Sequence, residues 1–309
     1  MKTSVDCLPC YLRQALQVAR ICSADIERQH AVLAAVAHLL PDLDLAQTPP
    51  ANAIRIYTAI AGITGCSDPY LEVKKTSNEQ ALQVLPALRE EVRQAENPLR
   101  AALRFATAGN IIDYGAAESF DIETAFASCR KTIPIIDHTD RFIEEVGKLQ
   151  KHAKVLYLAD NCGEIVYDLL VLECLAAYGL DLTVAVKSGP IINDALLEDA
   201  MSCGIGEVAA IIVNGTACPG TPLPECSAEF LRNFQEADLV ISKGQGNFET
   251  LSEVDRQICF FLTVKCPVVG RHIADITGTD VAYLPGRGET VVYFSGNTSN
   301  HIGDTCIRE

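Results

Sequence analysis

The sequence predicts an α/β protein: a Rossmann-like, mainly parallel sheet flanked by helices, with an all-helical N-terminal region before it. Three observations carry this. From about Lys151 onward, short β-rich apolar runs alternate with stretches of helical length, as βαβ crossovers require. Before that point, apolar residues recur at helical spacing without such alternation. Each β-rich run also ends in a cluster of polar residues and glycines, and the carboxyl ends of strands are where open α/β sheets bind ligands. The expected organisation is a mostly helical region over 1–150 and an α/β domain over 151–309.

In the first region, Leu12, Ala15, Leu16 and Ala19 share one face of a first helix. A second runs from about Ala24 to Leu40 and stops before Pro41. A connector over 47–52, with Pro49 and Pro50, leads to a third helix from Ala51 to about Ile63, ending near Gly65. Asp68 caps a fourth, with Pro69 at its first position and Val73, Ser77, Gln80, Ala81, Val84 and Leu85 in its pattern. Asn97 and Pro98 open a fifth, which carries Leu99, Leu103 and Ala106 and runs into the stretch 108–115. There Asn110, Asp113 and Gly115 read either as a loop with an Asx turn or as a polar edge facing a later site; taken alone, the loop is the simpler reading.

In the second region the predicted strands are Val155–Ala159, Leu182–Val186, Val208–Val213 and Leu239–Ser242. Helices are predicted near Glu164–Tyr178, with Ile165, Leu169, Leu172 and Leu175 on one face, and near Asp194–Cys203, Cys226–Glu236 and Glu249–Leu262. Val281–Leu284 and Thr290–Phe294, separated by Pro285–Gly288, read as a hairpin-like pair at an edge.

Composition narrows the function. Acidic residues outnumber basic ones, 40 to 25, for a formal charge of −15 over 309 residues. That argues against nucleic acid or an anionic membrane as the main partner. No apolar run is long enough to span a bilayer, and the Met1–Val5 segment does not read as a secretory leader. The thirteen cysteines are odd in number and scattered singly, apart from Cys7 and Cys10, which suggests reduced thiols in a cytoplasmic setting. Cys7-Leu8-Pro9-Cys10 fits half of a zinc site, a redox pair at a helix start, or simply two unreactive, partly buried thiols; Cys22 and His30 lack diagnostic spacing as helpers. The six histidines form no cluster, and no Gly-x-Ser-x-Gly or His-Glu-x-x-His is present.

The strand ends carry the chemistry. After the first strand come Asp160, Asn161, Gly163 and Glu164. The short oxygen-bearing side chains of Asp160 and Asn161 can both reach a hard cation there, or one of them is only a helix cap. One βα unit later, Lys187 is followed by Asn193 and Asp194. Two carboxylates and an amide oxygen from Asp160, Asn161 and Asp194 suit Mg²⁺ or Mn²⁺; the competing reading is that Asn193 or Asp194 caps the next helix. Asn214–Gly220 is a glycine-bounded loop whose amides could face an anion, though taken alone a plain strand-to-helix connection is the better reading. The fourth strand ends in Lys243-Gly244-Gln245-Gly246-Asn247. This is neither a Walker loop nor a dinucleotide fingerprint, but Lys243 could place a point charge on a phosphoryl oxygen beside the amides of Gly244 and Asn247, or be a solvated turn lysine.

As a set, these stretches resemble the domain-of-unknown-function-89 family of metal-dependent phosphatases, also called damage-control phosphatases. The likeness is to the prokaryotic branch with an N-terminal Cys-x-x-Cys. The matching pieces are Cys7–Cys10, Ser67–Tyr70 with Lys74, Gly109–Gly115, Asp160–Asp168, Pro190–Ala200, Gly215–Gly220, Lys243–Glu249 and Lys265–Val268. The resemblance implies a helical region packed on a Rossmann-like domain, a divalent ion (Mg, Mn, Co or Ni) held at Asp160, Asn161 and Asp194, and hydrolysis of small phosphorylated metabolites such as sugar phosphates. Asn110, Asp113 and Lys243 would line the phosphate pocket. Relatives often carry an acidic residue near Ala217, and this chain does not.

The expected activity is therefore metal-dependent phosphomonoester hydrolysis. Lys243 and Lys187 balance charge on the transferred group, Asp113 or Glu164 orients the water, and Asp160 acts as ligand or as nucleophile. Two other readings remain: a nucleotide- or cofactor-binding transferase on the same fold type, and a non-catalytic metal- or thiol-handling protein built on Cys7 and Cys10.

Overall fold

The computed structural model describes residues 1–109 and 133–296. Caps and prolines set the starts of the second, third and fifth N-terminal helices but not of the fourth, which begins at Leu71 behind Tyr70; Asp68, the expected cap, accepts from Tyr70 N instead. Helices α1 (Cys7–Cys22), α2 (Ile26–Leu39) and α3 (Pro49–Thr64) gather around a core of their own that includes Ala15, Val18, Val32, Val36, Ile56 and Ile60. Asp25 caps α2 by accepting from Glu27 N, and Thr48 caps α3 ahead of two prolines whose missing N–H groups cost nothing in a first turn. The long α4 (Leu71–Gln94) and the short α5 (Pro98–Ala108), capped by Asn97, follow.

The next elements are β1 (Ile136–Asp137), α6 (Thr139–Lys148), β2 (Lys154–Leu158), α7 (Glu164–Ala177), β3 (Asp181–Val186), α8 (Leu197–Ser202) and β4 (Ala210–Val213). After them come α9 (Ala228–Glu236), β5 (Leu239–Lys243), α10 (Gln245–Leu251), β6 (Cys259–Val264), α11 (Pro267–Thr277) and β7 (Glu289–Phe294). One seven-stranded sheet results, in the order β1-β7-β6-β5-β2-β3-β4. Strands β4, β3, β2, β5 and β6 pair in parallel; β7 runs antiparallel to β6, and β1 is parallel to β7. The direction of strand succession reverses between β2 and its neighbour β5, the position where such sheets open a crevice for ligands.

Alternate residues of β2 feed two cores. Val155 and Tyr157 face a cluster shared with α4, α5 and α7, whereas Leu156 and Leu158 face one shared with α9 and α11. The mainly parallel sheet and the helical N-terminal region thus match expectation, and the two-residue β1 adds a strand to that region.

Three further sequence expectations change. The helix predicted over Glu249–Leu262 is two elements, because α10 ends at Leu251 and the apolar run from Cys259 becomes β6, buried along its whole length. Val281–Leu284 is not a strand; Val281–Tyr283 forms a 3₁₀ turn, and β7 pairs with β6 and β1 instead. Helix α7 shows no single apolar face: Glu164 through Leu172 are all buried, because α4 and α5 pack over the side that a surface helix would turn to water. Among the described residues no helix is long and apolar enough to cross a membrane.

Candidate functional site

The β2 and β3 ends are stitched together by backbone. Ala195 N donates to Asp160 O at 2.8 Å, Cys162 N donates to Asn193 O at 2.9 Å, and Asn161 and Asp194 form an isolated antiparallel bridge. This pairing brings Asp160, Asn161 and Asp194 to one rim, with all three side chains buried. Asn161 Nδ2 donates to Asp160 Oδ2 at 2.8 Å and to Glu164 Oε1 at 2.6 Å. Gly244, after β5, has φ +81°, and a Cβ there would overlap the Asp160 carboxylate. Glycine is therefore what lets the β5 end approach the β2 end this closely.

Two buried lysines complete the centre, and their surroundings differ. Lys243 Nζ lies 2.5 Å from Asp168 Oδ1, donates to Ala106 O at 2.9 Å and sits 3.8 Å from Glu164 Oε2. Tyr157 OH donates to the same Asp168 oxygen at 2.7 Å. Lys187 Nζ donates to Gly220 O at 2.9 Å and to Asn247 Oδ1 at 3.1 Å, with Asp194 Oδ2 at 3.6 Å. The Asn247 amide is bonded on every side: it also accepts from Thr221 Oγ1 and donates to Ala159 O and Lys243 O. Asn247 was expected to touch a ligand. It is wholly buried and instead ties the β2, β3 and β5 ends to one another, with no hydrogen-bonding capacity left over. The Lys243 ammonium is likewise engaged within the protein rather than free at a strand end, and Asn110 and Asp113 lie outside the described residues.

Burial dominates the electrostatics. It holds Asp160 above the ordinary carboxylate range, against the pull of Lys265, Lys187 and Lys243. It raises Glu164 to about 7, with neighbouring Asp160 adding to the effect, and Asp194 to about 8 despite Lys187. Asp168 also stays high, because burial outweighs Lys243 and Tyr157. Burial opposes the charge on Lys243, but Asp168, Glu164 and Asp160 together raise its pKa above that of a free lysine. Among the described residues, Glu164 Oε2, Asp168 Oδ2 and Asp194 Oδ2 accept no hydrogen bond.

Sequence reasoning passed over several of these groups. Asp168 had a legible signal: a carboxylate one turn after Glu164 inside an otherwise apolar helix is too costly to bury unpaired. Lys265 had a weaker one. It is exposed, and its positive charge works to lower Asp160, Glu164 and Asp194, which places it near the rim. Asn78 had none, because its partner Gly163 is 85 residues away in the chain.

Cys7 and Cys10 sit on the first turn of α1, half-buried and unpaired. The thiolate stabilisation expected at a helix start is overridden: burial pushes Cys7 up to about 11 and also raises Cys10, with Glu249 adding to both. Among the described residues no three His, Cys, Asp or Glu side chains are gathered so as to hold a metal ion by themselves. An ion at the strand ends would therefore draw on the Asn161 amide, water or substrate as well as on Asp160 and Asp194.

With this geometry in view, the comparisons with known proteins agree. A family model described as "Damage-control phosphatase ARMT1-like domain" matches residues 3–281. A damage-control phosphatase of Pyrococcus horikoshii is 33% identical over 277 residues, covering 88% of this chain and 94% of the relative. A damage-control phosphatase of Archaeoglobus fulgidus is 36% identical over 236 residues, covering 74% and 80%. A crystal structure of a DUF89 family protein from P. horikoshii superposes with a TM-score of 0.85 at 31% identity, covering 96% of this chain and 100% of that one.

Proposed function

The chain belongs to the damage-control phosphatase ARMT1-like family, and from that premise we propose that it hydrolyses small phosphomonoesters of the sugar-phosphate type with the help of a divalent metal ion (Mg, Mn, Co or Ni). The observation that carries the reading is a charge imbalance. Four buried carboxylates, Asp160, Glu164, Asp168 and Asp194, face two buried ammoniums, Lys187 and Lys243, and the Asp194 Oδ2 and Glu164 Oε2 atoms have no hydrogen-bond donor among the described residues. Carboxylates buried in this way hold protons, as the raised Glu164 and Asp194 do, unless a counter-ion takes the protons' place, and hard oxygen donors suit a hard cation.

In this reading Asp160 and Asp194 supply carboxylate oxygens. Asn161 supplies its amide oxygen after a half-turn that gives up its two carboxylate hydrogen bonds, which a bound cation makes unnecessary. Such an ion, when bound, would polarise a phosphoryl oxygen and help to activate water. The protein's own part is mostly positioning. Lys265, exposed at the rim, meets the phosphoryl oxygens, while Lys187 and Lys243 neutralise the carboxylate framework from below. Glu164, whose Oε2 accepts no hydrogen bond among the described residues, orients the attacking water, and Asp113 remains a second candidate for that role. A cytoplasmic setting goes with this reading, supported by single, scattered thiols.

The test is phosphate release from a phosphometabolite panel, with and without each divalent ion, for wild type and Asp160→Ala. Release should depend on the ion. Asp160→Ala should lower kcat/KM by at least about a hundredfold, consistent with the several kcal/mol that such charge stabilisation is worth, while the thermal midpoint stays near that of wild type. Full activity in the variant, or hydrolysis indifferent to chelation, sinks the assignment.

A further inference from the structure

We propose that Asn78, braced by Lys74 and Asp199, is a positioning residue that holds the 161–164 turn and the 194–196 loop in register for ion binding. The inference rests on the proposed reading of Asp160, Asn161 and Asp194 as ion ligands, and it concerns groups that touch none of the three.

Lys74 and Asn78 lie one turn apart on α4, so they share a face, and both are more than nine-tenths buried. Asn78 Oδ1 accepts from Gly163 N at 2.7 Å, and Asn78 Nδ2 donates to Asp199 Oδ1 at 3.1 Å. The other Asp199 oxygen, Oδ2, accepts from Leu196 N at 3.0 Å. Lys74 Nζ sits 2.6 Å from Asp68 Oδ2 and 3.8 Å from Asp199 Oδ2. One amide side chain therefore connects two strand-end loops that the chain sequence separates.

Position explains why this matters. Gly163 lies between Asn161 and Glu164, has φ +81°, and has no side chain with which to cap α7. Its N–H is among the amides that a helix start leaves without a partner, and Asn78 satisfies it from a different helix. Leu196 follows Asp194 and Ala195 and directly precedes α8. The Asp199 carboxylate that closes this second loop is thus the same group that Asn78 grips. Removing Asn78 takes away the side-chain brace behind both loops, which keep their backbone pairing, and leaves every proposed ligand in the chain. Groups that orient ligands without touching the ion characteristically govern affinity in this way.

The experiment titrates the purified full chain, freed of metal by chelation, with MnCl₂ while free Mn²⁺ is followed by electron paramagnetic resonance; the thermal midpoint of each ion-free protein is recorded in parallel. Asn78→Ala should bind Mn²⁺ about 10- to 100-fold more weakly than wild type. Asp199→Ala should behave alike, and the double variant should be no worse than either single one, because a linked unit is lost once. If Asn78→Ala does not fold, Asn78→Asp carries the test: it keeps the acceptor for Gly163 but sets a carboxylate against Asp199, so weaker binding is again expected. Wild-type affinity in whichever Asn78 variant folds, or strictly additive losses in the double variant, overturns the positioning role alone. Absence of Mn²⁺ binding by wild type removes the ion reading itself, and this inference with it.

Discussion

The two lysine corners of the site bury the same side chain in different company. At the β5 end, Lys243 is held by the Asp168 carboxylate at 2.5 Å, by Ala106 O on α5 and, more distantly, by Glu164. At the β3 end, Lys187 is held mainly by neutral oxygens, Gly220 O and Asn247 Oδ1, and its carboxylate neighbour Asp194 stands off at 3.6 Å. The difference teaches what each cation is for. Lys243 neutralises a carboxylate that has no other reason to be in the core, and it fastens α5 to the sheet. Lys187 spans strand-end loops and leaves Asp194 less fully paired, as the proposed ion ligand should be.

Breaking the stronger corner should have the largest effect. Lys243→Met leaves Asp168 and Glu164 buried without their cation, and chemical denaturation should show a loss of about 3–5 kcal/mol, typical of orphaning one member of a buried pair. A loss below about 1 kcal/mol would mean that the corner is not held by charge, because that is no more than an exposed ion pair is worth.

A buried carboxylate without any lysine sharpens the comparison. Glu249, on α10, receives a hydrogen bond from Gln245 at 2.7 Å and feels the Met1 ammonium, while Cys7, Cys10, Tyr11 and Cys266 face it in uncharged form. Burial, only partly offset by Gln245 and Met1, raises it from 4.5 to about 7. The folded protein therefore keeps a proton there that the unfolded chain releases, so this group makes stability fall as pH rises from about 4.5 to about 7, with no further change above. Glu249→Gln should remove that slope. The variant should be more stable than wild type at pH 8, by at most ~3 kcal/mol, and should match it below pH ~4.5, near the usual glutamate value. Parallel urea curves at the two pH values check this, and equal pH slopes in both proteins would refute it.

The weaker lysine corner should respond least. Lys187→Met deprives Gly220 O and Asn247 Oδ1 of a donor, and about 1–2 kcal/mol of stability should go with them. Its mark should be on function: the fold survives while phosphate release falls. If Lys187→Met costs more stability than Lys243→Met, the assignment of roles to the two corners is inverted.

Much of this architecture was legible beforehand because it is local. The runs at 155–159, 182–186 and 239–242 are β-rich and bounded by polar clusters, and they became β2, β3 and β5 within a residue or two. The Cys259–Val264 segment was not legible, because a continuous apolar run has no periodicity to separate a buried strand from a buried helix. Burial on both sides made it β6. The two residues of β1 have no signal of their own and are a strand only because β7 lies beside them. In the site, Asp160, Asn161, Glu164, Asp194 and Lys187 could be named from their place after strands. Asp168 could have been, from its cost in an apolar helix. The bonding that saturates Asn247 could not be foreseen, because its partners come from the β2 end, the β3 end and the 220–221 loop.

By itself the sequence determined most of the helices, the strands β2, β3 and β5, and which polar side chains stand at the strand ends, since caps, periodicity and apolar runs act over a few residues. Only the tertiary structure decided which of those side chains meet, which ammonium is spent inside the protein and which is left at the rim. Those outcomes depend on the strand order β5-β2-β3 and on α4 and α5 closing over α7. Contacts between groups tens of residues apart are set by how whole elements pack, and no local pattern encodes them.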